Sequence, residues 1–69
     1  MMHTSCIDTI NGPDVTVRGA AAFEMLEMVY VGKKRLIGEV IAVSAAATTI
    51  QVYESTTGLH PGEPVEGTG

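Results

Sequence analysis

Thr48-Thr49-Ile50-Gln51-Val52-Tyr53 alternates cleanly, and its reading decides the fold. In an extended chain Thr48, Ile50 and Val52 share one face, while Thr49, Gln51 and Tyr53 share the other. The β-branched content suits a pleated, half-buried strand. Upstream, residues 36–43 (Leu-Ile-Gly-Glu-Val-Ile-Ala-Val) read the same way apart from Gly38, which suggests a bulge or bend. Residues 25–31 form a further apolar run that stops at the polar turn Gly32-Lys33-Lys34. Val15-Thr16-Val17 and a short mixed piece at 7–10 precede it, separated by Asn11-Gly12-Pro13, and a sixth short piece surrounds Val65.

Glycine and proline cut the rest of the chain into segments of strand length. One stretch is ambiguous. Ala20 to Met28 is built of good helix formers whose period is unsettled, and is divided into one helical turn over 20–23 and a strand from Met25. Many short strands with regular turns indicate a sandwich or barrel. For 69 residues, an all-β, six-stranded, closed and antiparallel-rich barrel fits best, because closure removes exposed edges. The expected core is Val15, Val17, Leu26, Met28, Ile37, Val40, Ile41, Ile50, Val52 and Leu59. Residues 1–69 are expected to form a single domain, with 1–4 frayed and 66–69 starting a linker.

Composition narrows function. The chain is 45% hydrophobic and 17% charged, with four basic and eight acidic residues and a net charge of −4. That balance, with one Phe, two Tyr and no Trp, argues against a nucleic-acid surface. The apolar content argues against disorder, and no apolar run reaches the length of a helical membrane span. The lone Cys6 fits a reducing, cytoplasmic compartment. There is no Walker phosphate loop, since Gly32-Lys33 is followed by Lys34, and no Gly-x-Ser-x-Gly elbow. A metal site from Cys6, His3 and His60 would need ligands converging from distant loops. No catalytic residue, metal or cofactor is therefore expected. Glu24 and Glu27 are read as a solvated pair beside a strand, and Met25 and Met28 as core filler.

From Gly12 onward the chain resembles the N-terminal β-barrel domain of the catalytic A subunit of V-type and archaeal-type rotary ATPases. Three stretches carry the resemblance: Gly12-Pro13 before the valine strand, Met25-Leu26-Glu27-Met28-Val29-Tyr30-Val31-Gly32, and Leu36-Ile37-Gly38-Glu39-Val40-Ile41 followed by Thr49-Ile50-Gln51-Val52-Tyr53-Glu54-Ser55-Thr56-Thr57-Gly58-Leu59 and Gly62-Glu63-Pro64-Val65. Ile50-Gln51-Val52-Tyr53-Glu54 is closer to the A-type pattern than to the related non-catalytic barrel. Asp14 stands where the family prefers valine, residues 18–22 are alanine-rich, and Ser44-Ala45-Ala46-Ala47 replaces a turn commonly built with Gly and Asp. A loop around a type I turn would avoid positive φ there. Members of the family continue past Gly67-Thr68-Gly69 into a nucleotide-binding domain, so an excised or engineered barrel is expected.

The resemblance implies a structural assembly module, one of six barrels forming a crown on the catalytic hexamer, with no catalysis of its own. Its partners would be neighbouring A- and B-type barrels, with no nucleic acid and no direct membrane contact. A homo-oligomer of the isolated chain is expected, through edge-strand pairing at a poorly closed seam or through charged loops. The candidate interface residues are Lys33, Lys34 and Arg35, set against Glu54, Glu63 and Glu66. The alternative is a free-standing ligand- or peptide-binding barrel.

Overall fold

Six strands follow from this patterning: β1 (Thr4–Asn11), β2 (Asp14–Arg18), β3 (Met28–Val31), β4 (Leu36–Val43), β5 (Ala47–Val52) and β6 (Pro64–Gly67). The computed structural model describes residues 4–19 and 23–68, and none of these is helical. Every neighbouring pair is antiparallel, and the strands close into a barrel in the order β1-β2-β5-β4-β3-β6. The expected all-β closed barrel is the observed one. The helical turn expected over 20–23 falls mostly on residues 20–22, outside the described residues.

Closure dictates the interior. A six-stranded barrel is narrow, so inward side chains must be small or branched close to the backbone. The core is Ile7, Val15, Val17, Phe23, Val29, Val31, Val40, Ile50, Val52 and Val65, and all but Phe23 are β-branched. Ile10, Leu36 and Leu59 pack against it from partly exposed positions. Thr48 is also buried, and its hydroxyl donates to the Gly19 carbonyl at 2.8 Å, which satisfies the polar atom that burial would otherwise strand.

The expected core is corrected in two strands. Met28 is half exposed and Leu26 more so, whereas Val29 and Val31 are fully buried. The reason is a turn at Met25-Leu26 that shortens β3. Leu26 takes a positive φ of 67°, the Glu27 amide donates to the Glu24 carbonyl at 3.1 Å, and the Glu27 carboxylate accepts the Glu24 amide at 2.9 Å. The two glutamates thus cap a turn. With the strand starting at Met28, period-two alternation turns the valines inward and Met28 and Tyr30 outward. In β4, Ile37 and Ile41 are likewise exposed. Gly38, not Ile37, faces the core, and the register shift lies between Val40 and Ala42, so Ile41 is the bulged residue.

Gly38 serves close approach instead of bending the strand. A Cβ there would lie 2.8 Å from Ile50 Cγ2 and 3.1 Å from the Gln51 carbonyl oxygen. The β4–β5 hairpin avoids glycine as expected. Ser44 Oγ accepts the Ala47 amide at 3.1 Å, the Ser44 amide donates to the Ala47 carbonyl at 2.9 Å, and neither Ala45 nor Ala46 takes a positive φ. Since all six seams are paired, no edge is free for the strand-pairing route to self-association.

Two substitutions test the β3 frame. Val29→Ala should lower unfolding free energy by about 2 kcal/mol, as expected for a truncated core side chain. Met28→Ala should change it by no more than about 0.5 kcal/mol. Urea denaturation followed by circular dichroism reads both, and equal losses would contradict the inward placement of Val29. Gly38→Ala, which overpacks the wall against Ile50 and the β5 backbone, should cost about 1–3 kcal/mol in the same assay.

Candidate functional site

The turn between β3 and β4 carries the chain's one basic run, and the loop before β6 returns to meet it. Gly32, at φ 79°, donates its amide to the Pro64 carbonyl at 2.7 Å and accepts the Arg35 amide at 3.0 Å. A side chain at Gly32 would overlap Leu59 Cδ2 and sit 3.0 Å from Glu63 Oε1, so only glycine fits the contact. Glu63 is the centre of this junction. Its Oε1 accepts the Lys33 amide at 2.9 Å and its Oε2 accepts the His60 amide at 2.8 Å. Those amides, Lys33 first and His60 second, hold its carboxyl below the usual glutamate range. Desolvation opposes the shift, and the charges of His60 and Lys33 add to it.

Arg35 completes the junction. Its guanidinium pairs with the Glu66 carboxylate and lies 4.4 Å from the centroid of the Tyr30 ring. The pair is partly exposed and contributes modestly; its stacked geometry orders the turn. Of the six candidate interface residues, the structure therefore brings Lys33, Arg35, Glu63 and Glu66 together within one chain. Lys34 is exposed on the same turn. Glu54 is separate: its Oε2 accepts the Ile37 amide at 3.3 Å, beside the bond from the Tyr53 amide to the Ile37 carbonyl at 2.9 Å.

Sequence reasoning missed a different surface. Met28 pairs with Glu39 and Tyr30 with Ile37 across the β3–β4 seam, and Tyr53 donates its hydroxyl to Glu39 Oε1. Leu26 lies alongside, its amide bonded to the Val40 carbonyl at 2.8 Å. The outcome is an outward face of Leu26, Met28, Ile37, Ile41 and Tyr53 around the Glu39 carboxylate, with Glu54 at its edge, every one of these five side chains more than a third exposed. The Glu39 hydrogen bond, then desolvation, then the negative charge of Glu39 raise the Tyr53 hydroxyl above its ordinary pKa. The signal in the sequence was that β4 is apolar on both faces, which a strand with one solvated face would not be. Among the described residues, no three His, Cys, Asp or Glu side chains gather as a metal site would require.

The profile of the ATP synthase alpha/beta family, beta-barrel domain, matches residues 7–69. The chain belongs to this family. Among curated proteins, this barrel domain is 56% identical over 63 residues to the A subunit of the A-type ATP synthase from Haloferax volcanii, covering 91% of the chain and 11% of that protein. It is 58% identical over 60 residues to the A subunit of the A-type ATP synthase from Hyperthermus butylicus, covering 87% of the chain and 10% of the relative. The V-type ATP synthase alpha chain of Clostridium novyi is 47% identical over 68 residues, covering 99% and 12%. The barrel domain thus spans about a tenth of the length of these relatives.

Glu63 gives the domain a defined acid sensitivity. Its folded pKa is depressed, so its contribution is complete above the ordinary glutamate range and is lost as pH falls through that range and below. Glu63→Gln keeps the shape but loses the charge. It should lower the urea midpoint at neutral pH, and the gap from the parent protein should close on acidification. A gap independent of pH would contradict the role of the Glu63 carboxylate.

Proposed function

We propose that this barrel is the N-terminal assembly module of the A subunit of an A-type or V-type ATP synthase, holding the catalytic hexamer together through neighbouring barrels while performing no catalysis itself. The observation that carries the reading is identity of 47–58% to such subunits along nearly the whole barrel. The architecture supports it. A closed wall with every seam paired is rigid, and its interior is filled by valine and isoleucine side chains, which favours a structural element over a ligand-binding barrel. Glu63 and Arg35 are engaged in holding turns, and nothing about their geometry positions a nucleotide.

In this reading the module sits on the cytoplasmic, membrane-distal part of a membrane-associated machine. No helix among the described residues is long and apolar enough to cross a membrane. Lys33 and Lys34, on the turn ordered by Glu63, and Glu54, on the opposite side of β4, supply charge at the rim of contacts with neighbouring subunits. Rim charges of this kind steer association more than they hold it.

The test is assembly of the parent protein with and without the barrel. Deleting it should abolish recovery of the hexamer on size-exclusion chromatography, while the separated polypeptide still binds nucleotide. Hexamers formed in full yield without the barrel would overturn the assembly role. The 69-residue chain alone should give no binding heat with MgATP in isothermal titration, and saturable binding would overturn its non-catalytic assignment.

A further inference from the structure

We infer that Asn11, at the hairpin between β1 and β2, is a self-modification site, where the folded barrel converts a side-chain amide of its own to a carboxylate. Asparagine is among the chemically labile residues, and Asn11 is the chain's sole asparagine. It pairs with Asp14 as the last rung of the β1–β2 seam, and Gly12 and Pro13 make the turn between them. Gly12 takes a φ of 61°, the sign that glycine supplies at the first central position of a tight hairpin.

The chemistry needs two neighbouring groups. The Gly12 backbone nitrogen loses its proton and attacks Cγ of the Asn11 side chain. The new N–C bond closes a succinimide ring, and the bond from Cγ to the carboxamide nitrogen breaks, so that ammonia takes up a proton and leaves. Water then opens the ring at either carbonyl. Cleavage of the N–Cγ bond leaves aspartate. Cleavage at the original backbone carbonyl leaves isoaspartate, with the main chain rerouted through Cβ. Nothing is oxidised or reduced, and solvent water is the co-reactant.

The structure leaves both groups available. Asn11, Gly12 and Pro13 are exposed. Among the described residues, neither the Asn11 carboxamide nor the Gly12 amide makes a hydrogen bond. Gly12 has no Cβ to crowd the attacking nitrogen, and no atom stands within 4 Å of where one would be. The restraint is in the backbone. Ring closure requires Asn11 to rotate out of the extended form that its rung holds. The turn is also tied to the end of β5 and the loop after it. Thr56 Oγ1 donates to the Gly12 carbonyl at 2.8 Å, and the Val52 amide donates to the Pro13 carbonyl at 2.9 Å. Conversion proceeds from fraying of this last rung, so the Thr56 anchor sets its rate. The product acts back on the same contacts. A carboxylate on residue 11 faces Asp14 across the rung, and like charges so placed repel. Isoaspartate also adds a main-chain atom beside Gly12, which draws its carbonyl away from Thr56. A chain already at −4 gains a further negative charge.

The test holds the folded 69-residue chain at mildly alkaline pH in water enriched in heavy oxygen. The tryptic peptide ending at Arg18 is then read by mass spectrometry, with electron-transfer fragmentation to separate aspartate from isoaspartate. Amide-to-acid conversion should accumulate at Asn11 with uptake of heavy oxygen and with isoaspartate among the products. Asn11→Gln, which would have to close a larger and slower-forming ring, should lose the conversion. Thr56→Val should speed it about five-fold, the change in open population that loss of one neutral hydrogen bond brings. Thr56→Ser, which keeps the donor, should match the parent chain. The urea-unfolded chain is the positive control. An Asn11 that stays intact in the folded chain while the unfolded chain converts would overturn the site. Aspartate without isoaspartate would overturn the succinimide route, and equal rates in Thr56→Val and Thr56→Ser would overturn control by the anchor.

Discussion

Everything in this domain depends on β6, a strand of four residues paired on both sides. Without it β1 and β3 would each expose a free edge, and a chain of this size has too little core to hold an open sheet together. Its two seams have three paired positions each, the fewest in the barrel. The surrounding chain compensates at both ends of the strand. Before it, Glu63 binds the loop at His60 and the turn at Lys33, and the Ile7 and Gly62 amides donate to the Glu63 and Ile7 carbonyls at 2.9 and 2.8 Å. After it, the Thr68 hydroxyl donates to the Met28 carbonyl at 2.7 Å. Closure is thus a property of the loops as much as of the strand.

The same constraint takes up most of the charge on the β3–β4 turn and the acidic tail. Arg35, Glu63 and Glu66 stand out in the sequence as a basic run and an acidic tail, yet each is drawn into fastening β6 to the β3–β4 turn. The exposed apolar face lies elsewhere around the barrel, on β4 and its neighbours. A wall with no free backbone offers neighbours only its side chains, so recognition in such a barrel is set by what stands outward on each strand.

Much of this was legible in the sequence. The alternation over 48–53 placed Thr48, Ile50 and Val52 inside and Tyr53 outside, and the bounds of β4 follow from its apolar run. The inward frame of β3 was not. Leu26, Met28, Val29 and Val31 are all apolar, so hydrophobicity cannot choose between the two alternations. The choice is made by the Glu24–Glu27 turn, after which the strand begins at Met28 and carries Val29 and Val31 inward. For the same reason Gly38 reads equally as a kink or as a close approach, and only the position of Ile50 opposite it decides. The outer β4 face stayed hidden because an apolar residue in a strand is ordinarily assigned to the core.

The register of β1 against β6 has a mechanical side. Thr4 pairs with Glu66, Ser5 with Val65 and Cys6 with Pro64, so both strands reach the same rim of the barrel with their outer ends side by side. Tension drawn between those ends would not shear the seam, which would load its three rungs together. It would peel them singly, beginning at Thr4–Glu66. Loading from that end breaks one rung at a time, so the β1–β6 seam resists it less than a pull along the strands.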